Sequence, residues 1–383
     1  MNRWSVVFAC ALLSACGAQP LAPNRPGTFF NDAAFRAPPV PLATDIFAMS
    51  DAMRRFIHGE IDSQMRRRGR VEGLVDALQN RAQLRLEYDS AVTRTAAEAF
   101  DARAGNCISL VIMTAALAKE LGLPLYYQQV YSEETWSRDG GILFRSGHVN
   151  MVLQPRLADR KRSSADGQHV TIDFLPSEDV RGYRTRPLEE RTIIAMFMNN
   201  RAAESLARGR LDDAYWWARE AISRDSGFLD AHNTLGVIYH RHGNLDDAER
   251  VYRALLERMP DNADAIANLA AVLTTAGQPQ AAQALLKKLQ SLESHPPFHF
   301  QDQAELALKR GDPKVAISLF NQELARDPYY HAAHFGLAAA YYQLGDFASA
   351  REHLATAMEN STTRRDHELY AAKLDRLRSS HIR

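Results

Sequence analysis

Residues 235–260 read LGVIYHRHGNLDDAERVYRALLERMP, with Gly243 inside the stretch and Pro260 at its end. Counting outward from Gly243 in steps of 34 residues meets Gly209, Gly277, Gly311 and Gly345. The same step joins Ala214, Ala248, Ala282, Ala316 and Ala350, and it joins a third series of small residues, Ala202, Gly236, Ala270, Ala304 and Ala338. Five units in phase at three positions predict five helix pairs over residues 189–360. Each pair places a glycine in its turn and a small side chain where its helices cross.

That period and those positions are the tetratricopeptide pattern. Each helix pair has an apolar face that the next pair must cover, so stacking makes an all-α, right-handed solenoid. The units are uneven. The first has Arg201 and Ser205 where the second has Leu235 and Tyr239, which predicts that it leans on a neighbouring domain. Ser294 stands where other units carry Pro260 and Pro328. Residues 361–383, with spaced Leu369, Leu374 and Leu377, are expected to form a capping helix with one polar face.

The chain opens MNRWSVVFACALLSACG: a basic Arg3, an apolar run from Val6 to Leu13, then small residues before Cys16. This predicts a secretion signal over residues 1–15. The run falls well short of the about 20 apolar residues a bilayer span needs. LSAC, Leu13 to Cys16, resembles the lipobox of bacterial lipoproteins. The resemblance implies lipid on Cys16, loss of Cys10 with the signal, and a periplasm-facing place in the bacterial envelope. Gly17, where an aspartate marks inner-membrane retention, implies the outer membrane. Residues 16–41 are rich in proline and read as an extended tether, followed by a domain over residues 42–188 that begins with helical patterns.

With Cys10 and Cys16 accounted for, Cys107 is the only one of three cysteines left for chemistry. It follows Gly105 and Asn106 and opens the apolar, Ala-rich run CISLVIMTAALAKELGLP. A helix N-terminus offers free N–H groups and partial positive charge that favour a thiolate. A nucleophile needs a base and a group to orient that base. Two downstream runs, GHVNMVL from Gly147 and HVTIDFL from His169, alternate with period two and predict an antiparallel pair of strands with a long loop between them. A register that sets His148 opposite Asp173 makes imidazole and carboxylate neighbours. The rival base, His169, shares a strand with Asp173 four residues away, roughly 13 Å at about 3.3 Å per residue. The expected triad is therefore Cys107 as nucleophile, His148 as general base and Asp173 as the group that orients it.

The segment GNCISLVIMTAALAKELGLPLYYQQV, residues 105–130, resembles the transglutaminase-like branch of the papain-like cysteine enzymes, and the resemblance runs over about residues 100–175. It implies an α+β papain/transglutaminase-like domain ahead of the solenoid and the same three roles for Cys107, His148 and Asp173. The chain departs from that family in having HVN where an aromatic residue commonly follows the histidine. The stretch EYDSAVTRTAAEAFDARAGNC further resembles a group of exported bacterial transglutaminase-like proteins with tetratricopeptide repeats.

Charges balance, with 46 basic and 46 acidic residues, so no field for nucleic acid is present. Neither HExxH nor a Gly-rich phosphate loop occurs, and no cofactor or metal is expected. MRRRGR, residues 65–70, reads as a solvated helix face, and Trp136, Trp216 and Trp217 as core or groove-lining side chains. At 383 residues and 46% hydrophobic, the chain supports two cores. Three functions fit: a thiol acyl-transfer enzyme acting on an amide of a protein or peptide, a scaffold whose repeats bind a protein or peptide on their concave face, and a structural envelope lipoprotein.

Overall fold

The computed structural model describes residues 29–39, 45–79, 84, 86–139, 142–154, 169–174, 184–292, 298–361 and 363–379, with backbone alone for 131–139 and 142–147. The signal segment, Cys16, Ser294 and the side chain of Trp136 lie outside the described residues.

The first half builds helices α1 (Asp51–Arg55), α2 (Asp62–Arg68), α3 (Arg70–Gln79), α4 (Ala96–Ala102) and α5 (Cys107–Glu120). Strands β1 (Glu87–Tyr88) and β2 (Ala104–Gly105) pair in parallel. Strands β3 (Leu125–Asp139), β4 (Ile142–Leu153), β5 (Val170–Ile172) and β6 (Arg184–Leu188) form an antiparallel sheet of order β5-β4-β3-β6. Helix α5 is apolar on all sides, and every side chain from Ile108 to Ala118 is buried. Such a helix forms where protein surrounds it. It ends at Gly122, whose φ of 61° lets Leu123 N–H reach back to Ala118 C=O at 2.8 Å, and Pro124 prevents continuation. In the arginine run, Arg66 and Arg68 pair with Asp62 and Asp76, as a solvated helix face requires.

The repeats are the pairs α6 (Glu190–Ala207) with α7 (Leu211–Arg224), α8 (Leu229–His242) with α9 (Leu245–Arg258), α10 (Ala263–Thr275) with α11 (Pro279–Leu292), α12 (His299–Arg310) with α13 (Pro313–Leu324), and α14 (His331–Gln343) with α15 (Phe347–Glu359). The 34-residue glycines, Gly209, Gly243, Gly277, Gly311 and Gly345, all lie between φ 73° and 90°. A left-handed residue there lets the chain reverse: Asn244 N–H bonds to Tyr239 C=O at 2.9 Å across Gly243. The small residue at the helix crossing is equally explicit. A Cβ on Gly236 would meet Tyr252 Cζ at 2.5 Å, and Tyr252 is buried. Gly236→Val is therefore expected to lower unfolding free energy by about 1–3 kcal/mol, read as a shifted denaturant midpoint at unchanged slope; an unshifted midpoint would mean that the helices are not held at this spacing.

Cap helix α16 (Arg364–Ser379) buries Tyr370 and Leu374 and packs Leu377, whereas Leu369, expected on the packed face, is 44% exposed. Its first residue, Arg364, reaches Glu87 of β1 at 3.5 Å, so the far end of the solenoid returns to the first half.

Two expectations about organisation need correction. The division near residue 189 is not a break in the core: Ile193 and Phe197 of α6 share one hydrophobic cluster with Leu117 of α5 and Tyr127 of β3, and that cluster extends to Ala282. Separate clusters begin at Ala304 and Ala338. Nor is the last part of the expected tether extended and free, because residues 29–36 dock on the first two repeats, where Phe29 and Phe35 are buried.

Candidate functional site

Cys107 begins α5, and its position is fixed by the residue before it. Asn106 is the N-cap: its side-chain oxygen accepts from Ser109 N–H at 3.0 Å and from Ser109 Oγ at 2.7 Å. Asn106 Nδ2 donates to Thr93 Oγ1 at 2.8 Å, in a pocket where Thr93 and Ser109 are fully buried. The same Thr93 is gripped by the first repeat, through Glu204 Oε1 accepting its N–H at 2.6 Å and Arg201 donating to its C=O at 3.1 Å. The departure of Arg201 from the repeat pattern thus serves a contact with the domain carrying the thiol, which the sequence pattern leads one to expect.

His148 lies on β4 and Asp173 just past the end of β5. Nε2 of His148 sits 2.8 and 2.7 Å from the two oxygens of Asp173. The expected register is off by two residues. Met151 opposes Ile172, so one further step sets Asn150, not His148, opposite Asp173. His148 is the diagonal neighbour, and Asn150 Nδ2 donates to the same carboxylate at 3.0 Å. Both are on the strand face opposite to that of Val149, Met151 and Leu153, which join the core. The β3–β4 register shifts between Val130 and Thr135, directly beside the Val130↔His148 pair, a bulge of the kind that re-aims side chains. His169 stays at the other end of β5 with its ring edge-on to Tyr126 at 6.3 Å.

With Nε2 committed to Asp173, Nδ1 is the ring nitrogen left for the thiol. Nδ1 is buried and closes no hydrogen bond, and Cys107 is among the groups that favour the charged imidazole. Burial opposes protonation of His148, and the Asp173 hydrogen bond together with Cys107 and the Asp173 charge outweighs it, so the imidazole pKa is raised to about 9. The ring is thus an imidazolium at neutral pH.

One more residue enters the site that sequence reasoning missed. Tyr88 of β1 pairs with Gly105 of β2, two residues before the thiol. Its phenol meets both the backbone N–H and the side chain of Cys107; burial, then the Cys107 side chain and the Asp173 charge, push its pKa well up against the backbone N–H, which lowers it. A two-residue strand carries no period to read. Trp216 donates to Arg36 C=O at 2.8 Å, and Trp217 packs edge-on to Phe197 at 6.4 Å. Among the described residues, no group of three or more His, Cys, Asp and Glu side chains is arranged to hold a metal ion.

Residues 204–263, 242–297 and 307–374 match the tetratricopeptide repeat family. The second half carries tetratricopeptide repeats. Over 115 residues the chain is 34% identical to the cellulose synthase operon protein C of Pseudomonas fluorescens (strain SBW25), which is 28% of this chain and 9% of that protein. Among solved structures, Pseudomonas aeruginosa PilF aligns with 50% of this chain and 88% of its own at 18% identity and a TM-score of 0.28. A thermophilic tetratricopeptide protein of Thermus thermophilus aligns with 47% of this chain and 98% of its own at 18% identity and a TM-score of 0.29.

Proposed function

We propose that this chain is a thiol acyl-transfer enzyme of the transglutaminase-like, papain-related kind, held against a tetratricopeptide scaffold that binds its protein or peptide partner. The observation that supports it is the imidazole of His148, clamped by both oxygens of Asp173 and charged at neutral pH, beside a thiol at the head of a buried helix. In this reading Cys107 Sγ, its proton passed to His148, attacks an amide carbonyl carbon. The C–N bond then breaks as the His148 imidazolium gives its proton to the leaving amine, and a thioester remains. Water or a second amine attacks the thioester, its proton goes to His148, and the thiol is released. In this reading the N–H groups at the start of α5 hold the carbonyl oxygen as it gains charge, with the Tyr88 hydroxyl, which meets Cys107, as a further donor. Asp173 fixes the ring and Asn150 fixes Asp173.

A second reading, a scaffold with an idle thiol, is favoured by the comparisons, because the family matches fall within residues 204–374. In both readings the protein is anchored through lipid on Cys16 to the periplasmic side of a bacterial envelope membrane, an outer-membrane place being implied by Gly17. Among the described residues no helix is long and apolar enough to cross a membrane. Complementation of a deletion strain separates the readings. Cys107→Ala is expected to lose function as fully as the deletion, and full function from that variant would leave the scaffold reading standing.

A further inference from the structure

The docked N-terminal segment is held in the manner of a ligand. Residues 29–36 contribute one short turn, Asp32–Ala34, and nearly everything that holds them comes from helix side chains about 180 residues or more away in sequence. The Phe35 ring lies flat on Tyr215, with centroids 4.0 Å apart and planes 2° apart, and tilts against His242 at 4.4 Å. Asn31 N–H reaches the hydroxyls of Tyr215 and Tyr239, each at 2.9 Å, and Asn31 Nδ2 donates to Asp247 at 2.6 Å. Arg219 forks both oxygens of Asp32 at 2.9 and 3.2 Å, and Tyr215 Oη donates to Asp32 at 2.6 Å. Tyr239 Oη donates to Phe29 C=O at 2.7 Å, and Trp216 to Arg36 C=O. Burial raises the Asp32 pKa, but the bonds from Tyr215 and Arg219 outweigh it and hold the carboxyl below its ordinary range.

The face that does this combines α7 with α8 and α9, so it reads a peptide across the junction of the first and second repeats. Its composition is that of a recognition surface: Tyr, Trp and Arg dominate binding hot spots, and aromatic stacking flanked by a bidentate Arg–carboxylate pair selects one sequence in one orientation. The features read are an aromatic residue, an Asn–Asp pair, and a second aromatic three residues after the Asp.

We propose that the face formed by Tyr215, Trp216, Arg219, Tyr239, His242 and Asp247 is a peptide-recognition site for a Phe-x-Asn-Asp-x-x-Phe segment, and that residues 29–36 of this chain are its resident ligand. Being tethered, the resident occupies the site at an effective concentration that a free peptide at micromolar levels does not match. A partner carrying the same chemistry therefore enters only in exchange for it.

The test uses the full chain and a fluorescent synthetic peptide of residues 28–38, TFFNDAAFRAP. An Asp32→Lys, Phe35→Ala chain, whose own segment no longer fits, is expected to bind the peptide at least tenfold more tightly than wild type. Adding Arg219→Glu to that chain should abolish binding, as should Asp32→Lys in the peptide. A folded Asp32→Lys, Phe35→Ala chain that takes up no peptide overturns the proposal and makes the segment a fixed strap. Should that variant not fold, hydrogen exchange on wild type decides. A resident ligand exchanges the Asn31 amide faster than the buried amides of α7 and α8, whereas protection equal to theirs overturns the proposal.

Discussion

His148→Ala is expected to slow alkylation of Cys107 by iodoacetamide at least tenfold at pH 7. An isolated thiol is only a few per cent ionised at that pH, and only the thiolate reacts. In the wild type an imidazolium stands beside the sulfur, because the His148 pKa is raised to about 9. The sign follows from that shift. A histidine whose folded pKa is raised from 6.5 to about 9 keeps its charge at neutral pH and loses it as pH rises through about 9. The advantage of wild type over the variant should therefore be largest at neutral pH and shrink as pH rises through about 9. Asp173→Asn should fall between them, since it removes the charge that holds the proton but leaves a ring that Asn150 no longer helps to fix. His169→Ala should match wild type, its ring being committed to Tyr126. Equal rates for wild type and His148→Ala at pH 7 would make Cys107 a bystander and end the enzymatic reading.

The parts of this site differ in how far the sequence discloses them. Cys107 is legible because glycine, a capping Asn106 and a run of buried apolar residues announce a helix start at one position. The pairing of His148 with Asp173 is legible as alternation, but its register is not. The two runs are too far apart in sequence for a short hairpin turn to fix their register, and a shift by two residues keeps the same faces inward. Asn150 was hidden by the same gap, although it lies two residues from His148 on the same face. Tyr88 carries no local signal, since β1 pairs with β2 only after the chain has passed through α4. The docked segment at residues 29–36 is obscured because proline dominates the composition of residues 16–41. Its aromatic residues at 29, 30 and 35 were the contrary signal, because a solvated tether has no use for three phenylalanines in seven positions.

Ending the chain at Leu292 is expected to leave Cys107 alkylated at the wild-type rate, whereas ending it at residue 188 should yield insoluble protein. The first cut falls where one hydrophobic cluster closes at Ala282 and before the next opens at Ala304. Among the described residues, the ion pair it removes from the first half is that of Arg364 with Glu87, between side chains 73% and 47% exposed. Exposed pairs of that kind contribute at most about 1 kcal/mol. The second cut goes through a core. It strips away Ile193, Met196, Phe197 and Met198 of α6, all buried in the cluster that also holds α5 and β3. At about 1.5–3 kcal/mol for each large apolar side chain, four of them match most of the 5–15 kcal/mol by which a domain is ordinarily stable. The same cut removes Glu204 and Arg201, so Thr93 loses the partners of both its backbone groups and no longer braces Asn106. Soluble residues 1–188 with cooperative unfolding and undiminished alkylation of Cys107 would show that the thiol domain stands alone. The predicted outcome instead makes the first repeat part of the site: the helix that begins the scaffold also holds the cap of the helix that begins with Cys107.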